Sequence, residues 1–163
     1  DAEEILNFNG LASNVSLEEG MNLIIPNGEG EPIPTYTFRN LFGASGPDYR
    51  GYYLRPIEGG RRSQGLHGYN GIDLATSCSS VVMASASGDV IISRPVGWNG
   101  GYGQYVVVDH PNGTQTLYAH LAGIIVSSGW HVVQGQILGY IGRSGAATGC
   151  HVHFEVRGAR NPF

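Results

Sequence analysis

The heptapeptide CHVHFEV, Cys150–Val156, alternates strictly between polar and apolar side chains after its cysteine. On a β-strand a period of two puts His151, His153 and Glu155 on one face and Val152, Phe154 and Val156 on the other. The apolar side then meets a core and the two imidazoles look together into a groove; surface histidines on a half-exposed strand are the plainer alternative. In LYAHL, Leu117–Leu121, Tyr118 and His120 share a face at a strand end, where an isolated histidine is again the plainer reading. In HGYNGIDL, His67–Leu74, a histidine and an aspartate flank a glycine-bearing turn, and the Leu74-Ala75 that follows plants Asp73 at the start of a strand rather than in a solvated loop. Two neutral imidazoles and one carboxylate, with a fourth position left for water, are the usual donors of a catalytic zinc centre. Structural zinc sites usually close that fourth position with cysteine. Cys150 directly precedes His151, so its sulfur points away from the histidine face, which favours a disulfide with Cys78, the other cysteine of the chain, over a ligand role.

The elements that must position these groups are short. Strands are expected at Ser80–Met83, Gly88–Ser93, Gln104–Asp109, Gln115–His120, Ile124–Val126, His131–Val133, Ile137–Ile141 and His151–Arg157, with turn residues between them. Asn112-Gly113, between two alternating runs, is the clearest hairpin signal. Composition agrees: 26 glycines and only 13% charged residues suit a chain of tight turns with few solvated helix faces. The expected fold class is mainly β, a small antiparallel β domain with a groove over the sheet and a short N-terminal helix-plus-strand appendage. Three regions separate: residues 1–26, an acidic helical start and a short apolar strand stopped by Pro26; residues 27–48, a Gly/Pro-rich linker; and residues 49–163, the glycine-punctuated β region.

Other function classes fit poorly. The nine cationic residues are all arginines, set against 13 acids for a net charge of −4, and no basic stripe is present, so a nucleic-acid partner is not expected. No apolar run approaches the ~18 residues of a spanning helix. The sequence has no His-Glu-x-x-His helix motif and no Gly-x-Ser-x-Gly elbow. It opens on Asp1 without a charged-then-apolar leader.

Four motifs carry a resemblance. His67…Gly71-Ile72-Asp73-Leu74-Ala75, then Tyr105–His110 running on to Leu117-Tyr118-Ala119-His120-Leu121, then Gly135-Gln136-Ile137-Leu138-Gly139, then Gly149–Val156 occur in one order over roughly residues 50–163. This set resembles the lysostaphin/LytM-type zinc endopeptidases. The resemblance implies a zinc-dependent endopeptidase acting on peptide cross-links or stem peptides of bacterial peptidoglycan. It implies one zinc ion held by His67, Asp73 and His153, with His120 and His151 as catalytic residues beside the bound water, and Tyr69, Tyr118 and Glu155 along the substrate groove. Glu155 either orients a ligand or is a solvated strand residue. The family's first ligand usually stands four residues before the aspartate, where this chain has Tyr69; here the histidine stands six before, across a turn enlarged through Gly68 and Gly71.

Glu4–Leu11 and Leu17–Pro26 resemble the second half of a LysM module, a family that binds wall glycan. A complete module would add a glycan partner; half of one cannot bury its own helix. The combined resemblance implies an exported protein, periplasmic, wall-associated or secreted, which suits a paired Cys78 and Cys150; a monomer is expected. The alternatives are a catalytically silent LytM-like factor that binds wall or activates another hydrolase, and a carbohydrate-binding β domain with incidental histidines.

Overall fold

A computed structural model describes residues 46–163; the LysM-like segment and most of the linker lie outside the described residues. Nine strands form one antiparallel sheet: β1 Arg61–His67, β2 Gly71–Ala75, β3 Val81–Met83, β4 Gly88–Arg94, β5 Gln104–Asp109, β6 Gln115–Ile124, β7 His131–Val132, β8 Ile137–Ile141 and β9 His151–Arg157. The main order is β1-β2-β9-β6-β5-β4-β7, and β8 pairs with both β3 and β6. No helix among the described residues is long and apolar enough to cross a membrane.

The alternation in β9 does what its period requires. Val152, Phe154 and Val156 are fully buried and join Ile72 and Leu74 of β2, Val106 and Val108 of β5, Tyr118 of β6 and Leu138 and Ile141 of β8 in the main core. Burying large apolar side chains at ~1.5–3 kcal/mol each fixes which face of each strand turns inward, because a one-residue slip would invert it. The opposite face of the central strands is thereby committed to the polar set of β9 and to a small cluster of Val107, Leu117 and Ala119.

Two features depart from the sequence reading. β1 was not expected: every residue from Arg61 to Leu66 is exposed, so this edge strand lacks the alternation that marks a half-buried one. β6 runs on from His120 to Ile124, absorbing the first residue of the expected Ile124–Val126 strand. Its pairing with β5 shifts between Gln104↔Leu121 and Val106↔Tyr118, so β6 carries one extra residue there, a β-bulge. The 110–114 connection follows the Asn112-Gly113 signal, with Gly113 at φ 77°. Cys78 and Cys150 are joined, tying the segment after β2 to the residue just before β9 across a separation of 72 residues.

Beneath the sheet, His110 is 2% exposed. Its Nδ1–H donates to the Ser87 carbonyl at 2.9 Å and its Nε2 accepts from the Thr116 hydroxyl at 2.8 Å, so the neutral ring is fully satisfied. Burial lowers its pKa below the ordinary 6.5, against the smaller opposing pull of the Ser87 carbonyl. The unfolded chain therefore takes up this proton first as pH falls, and the stability it contributes is present above pH ~6.5 and lost below it. The denaturation midpoint is expected to fall from pH 7 to pH 5, and to fall less in His110→Asn; equal losses in the two proteins would contradict this.

Candidate metal centre

The register of three central strands builds the site. Asp73 of β2 lies directly opposite His153 of β9, which lies opposite Ala119 of β6, and Ala75 lies opposite His151. Directly opposed side chains stand ~4.5–5.5 Å apart at Cβ, so a carboxylate and an imidazole meet without any loop. Gly71 opposes Glu155, and its missing side chain is a requirement: a Cβ there would come within 2.5 Å of His153 Cε1 and 3.2 Å of Glu155 Cγ.

His67 arrives from the end of β1. The β1–β2 hairpin turns through Gly68 at φ 52° and Asn70 at φ 59°, and pairs His67 with Gly71. This enlarged turn sets His67 Nε2 at 3.3 Å from Asp73 Oδ1. His120 arrives by the bulge: at φ 63° it leaves the strand's alternation, its N–H donating to the Tyr102 carbonyl at 2.9 Å. Its ring then stands 4.8 Å from that of His151 and 6.0 Å from that of His153, centroid to centroid.

Backbone carbonyls sort the ring nitrogens. His67 Nδ1 faces Gly65 O at 2.7 Å, His120 Nδ1 faces Ser144 O at 2.8 Å and His151 Nδ1 faces Gly149 O at 3.0 Å. A carbonyl only accepts, so each of these nitrogens carries the proton and each neutral ring keeps its Nε2 lone pair free. His153 is reversed: its Nε2 faces Glu155 Oε1 at 3.1 Å, and its Nδ1 faces Asp73 Oδ1 at 2.9 Å. Asp73 Oδ2 lies 3.7 Å from His151 Nε2.

Burial alone would raise the Asp73 carboxyl, but the hydrogen bond with His153 and the nearby imidazoles hold it below its usual range. Burial alone would lower His153; its bonds to Asp73 and Glu155 prevail and raise it to about 9. His120 is held below 6.5, chiefly by burial and with help from the adjoining His151 and His153, so it is a neutral base at pH 7.

The donor set suits a divalent cation. The coordinating atoms of His67, Asp73 and His153 lie within 4.8 Å of one another. Tetrahedral bonds of ~2.0–2.1 Å put neighbouring ligand atoms roughly 3.3 Å apart, close to the 3.3 Å and 2.9 Å separations from Asp73 Oδ1. In neutral His67 the Nε2 lone pair points at a carboxylate oxygen, acceptor against acceptor, and a cation between them removes the conflict.

Of the residues singled out from sequence, His67, Asp73, His120, His151 and His153 are brought together. Asp73 stands in the middle of β2 rather than at a strand start. Tyr69 is exposed at the hairpin tip, with the Arg157 guanidinium 5.9 Å from its ring centroid. Tyr118 does not line a groove: it is fully buried and its hydroxyl accepts from Ser85 N at 2.7 Å. The bulge explains this, because Tyr118 keeps the core-facing side of β6 while His120 alone is rotated out. Glu155 is neither solvated nor groove-lining but fully buried. Its Oε1 also accepts from the Tyr102 hydroxyl at 2.6 Å and its Oε2 from Arg157 Nε at 2.7 Å. Tyr102 and the structural role of Gly71 were not found from sequence. Tyr102 sits in a glycine-rich turn without strand periodicity, 53 residues from its partner, so no local pattern marks it.

Residues 67–163 match the model described as peptidase family M23. The chain is 40% identical over 107 residues to DD-carboxypeptidase/endopeptidase Mpg of Neisseria meningitidis, covering 66% of this chain and 23% of that protein. It is 41% identical over 89 residues to peptidoglycan DD-endopeptidase ShyA of Vibrio cholerae, covering 54% of this chain and 20% of that protein. The chain thus spans about a fifth to a quarter of the length of these curated relatives. Among solved structures, lysostaphin from Staphylococcus simulans superposes with a TM-score of 0.56 at 24% identity, over 66% of this chain and 49% of that one, a likeness of fold.

Proposed function

The chain belongs to peptidase family M23, and from that premise we propose that it is a zinc-dependent endopeptidase cutting peptide bonds of bacterial peptidoglycan. The observation that carries this reading is the division of one cluster into two kinds of donor. His67, Asp73 and His153 converge on a shared point, while His120 and His151 offer free Nε2 lone pairs beside it. The relatives named as peptidoglycan DD-endopeptidases support the substrate class and, with it, action in the periplasm or outside the cell.

His67 Nε2, Asp73 Oδ1 and His153 Nδ1 would hold the ion. Zinc bound there supplies a Lewis acid for the scissile carbonyl and lowers the pKa of a bound water from ~15.7 toward ~7. His120 and His151 then do the proton work. Each ring is fixed by its Nδ1–H bond to a backbone carbonyl, so only Nε2 is available to take a proton from the attacking water and return it to the leaving amine. Once protonated, the second imidazole also places positive charge beside the developing oxyanion.

The test is hydrolysis of purified sacculi, followed by mass analysis of the released muropeptides. Cleavage should stop with a chelator, return with added zinc and generate new peptide termini with glycan strands intact. Cleavage that persists in chelator, or products cut in the glycan, would overturn the reading; zinc binding without any cleavage would favour a silent wall-binding factor.

A further inference from the structure

The metal ligands and bases leave one buried group unexplained. Glu155 is fully buried on the site side of the sheet, two residues beyond His153 on β9, where an uncompensated carboxylate is costly. It is compensated on every side. Tyr102 Oη–H and His153 Nε2 both approach Oε1, at 2.6 Å and 3.1 Å, and Arg157 reaches Oε2 with both Nε and a terminal nitrogen at 2.7 Å. Gly71, lacking a side chain, is what leaves room for this contact between the carboxylate and the ring.

The direction of one bond gives the arrangement its consequence. With the guanidinium on one oxygen and the phenol on the other, Glu155 is held as an acceptor, so the hydrogen between it and His153 sits on Nε2. A cation that displaces the remaining ring proton therefore meets the His153 lone pair at Nδ1, the atom 2.9 Å from Asp73 Oδ1. His67, His120 and His151 obtain the opposite tautomer from backbone carbonyls; of these four rings, His153 is the one set by side chains.

We propose that Glu155 is a positioning residue that fixes His153 in the Nε2–H tautomer and so prepares Nδ1 as a metal ligand, with Tyr102 and Arg157 holding the carboxylate in place. Tyr102 has a second connection: its backbone carbonyl accepts the N–H of His120, so one residue braces both a ligand and a base. This inference rests on the metal-centre reading given above.

The experiment is zinc affinity of the full chain by competition with a chromogenic chelator, for wild type, Glu155→Gln and Tyr102→Phe, beside long-range proton–nitrogen NMR of the histidine rings in the zinc-loaded proteins. Loss of such an outer partner typically costs ~10–100-fold in metal affinity. Glu155→Gln should fall in that range, and Tyr102→Phe should fall by less. In wild type, His153 should show its proton on Nε2, while His67, His120 and His151 show theirs on Nδ1. An affinity for Glu155→Gln within twofold of wild type would overturn the inference while leaving the metal centre intact; a His153 proton on Nδ1 would overturn both the inference and Nδ1 as a ligand atom. Failure of wild type to bind zinc would instead overturn the metal centre. If Glu155→Gln does not fold, Tyr102→Phe and the wild-type ring signals still decide the matter.

Discussion

Asp73→Ala should empty the metal centre and reduce cleavage of sacculi to background. Asp73 is the only anionic member of the ligand set, and its Oδ1 faces His67 Nε2 at 3.3 Å and His153 Nδ1 at 2.9 Å. Without it, two neutral imidazoles are left to hold a dication. Metal-based charge stabilisation is worth several kcal/mol in the transition state, so the expected loss is roughly 10³-fold or more. The fold should survive, because Asp73 projects from the face of β2 opposite Ile72 and Leu74, which anchor the strand in the core. Zinc content by elemental mass spectrometry should drop from about one ion per chain in wild type to a trace, with the chelator-treated proteins melting alike. A fully loaded Asp73→Ala protein would remove this residue from the ligand set.

His120→Asn should produce the complementary result: zinc retained, turnover lost. The choice of asparagine follows from the backbone. His120 sits at φ 63°, a left-handed conformation that asparagine tolerates better than most residues. The bulge is therefore preserved while the base is removed. General acid–base catalysis contributes ~10²–10⁴-fold, and kcat should fall within that range. Metal content and substrate binding should stay near wild type. Loss of zinc together with activity would mean that His120 is a ligand; unchanged activity would assign the proton transfer to His151 alone.

These two variants draw on information of different legibility. The β9 alternation was written in the sequence, because Val152, Phe154 and Val156 must all reach a core, which forces His151, His153 and Glu155 onto one face. What covers that face was not written there. Nothing local to residue 155 announces that Tyr102 and Arg157 close over it, so a fully buried carboxylate looked the same as a solvated one. Tyr118 failed for a related reason. Simple alternation groups it with His120, but the extra residue in β6 breaks the period between them. A bulge depends on pairing with another strand, and single-strand periodicity carries no sign of it. β1 was missed because an exposed edge strand has no apolar face to display, although His67 at its end was identified. The disulfide was accessible because the chain has only two cysteines and the position of Cys150 beside His151 turned its sulfur off the metal face.

Zinc-edge anomalous diffraction from crystals of the zinc-loaded protein decides the division of labour among the five side chains. One strong peak is expected, bonded to His67 Nε2, Asp73 Oδ1 and His153 Nδ1, with His120 and His151 near it but unbonded. A peak coordinated by His120 or His151 in place of any of those three, or no peak at this cluster at saturating zinc, would contradict it.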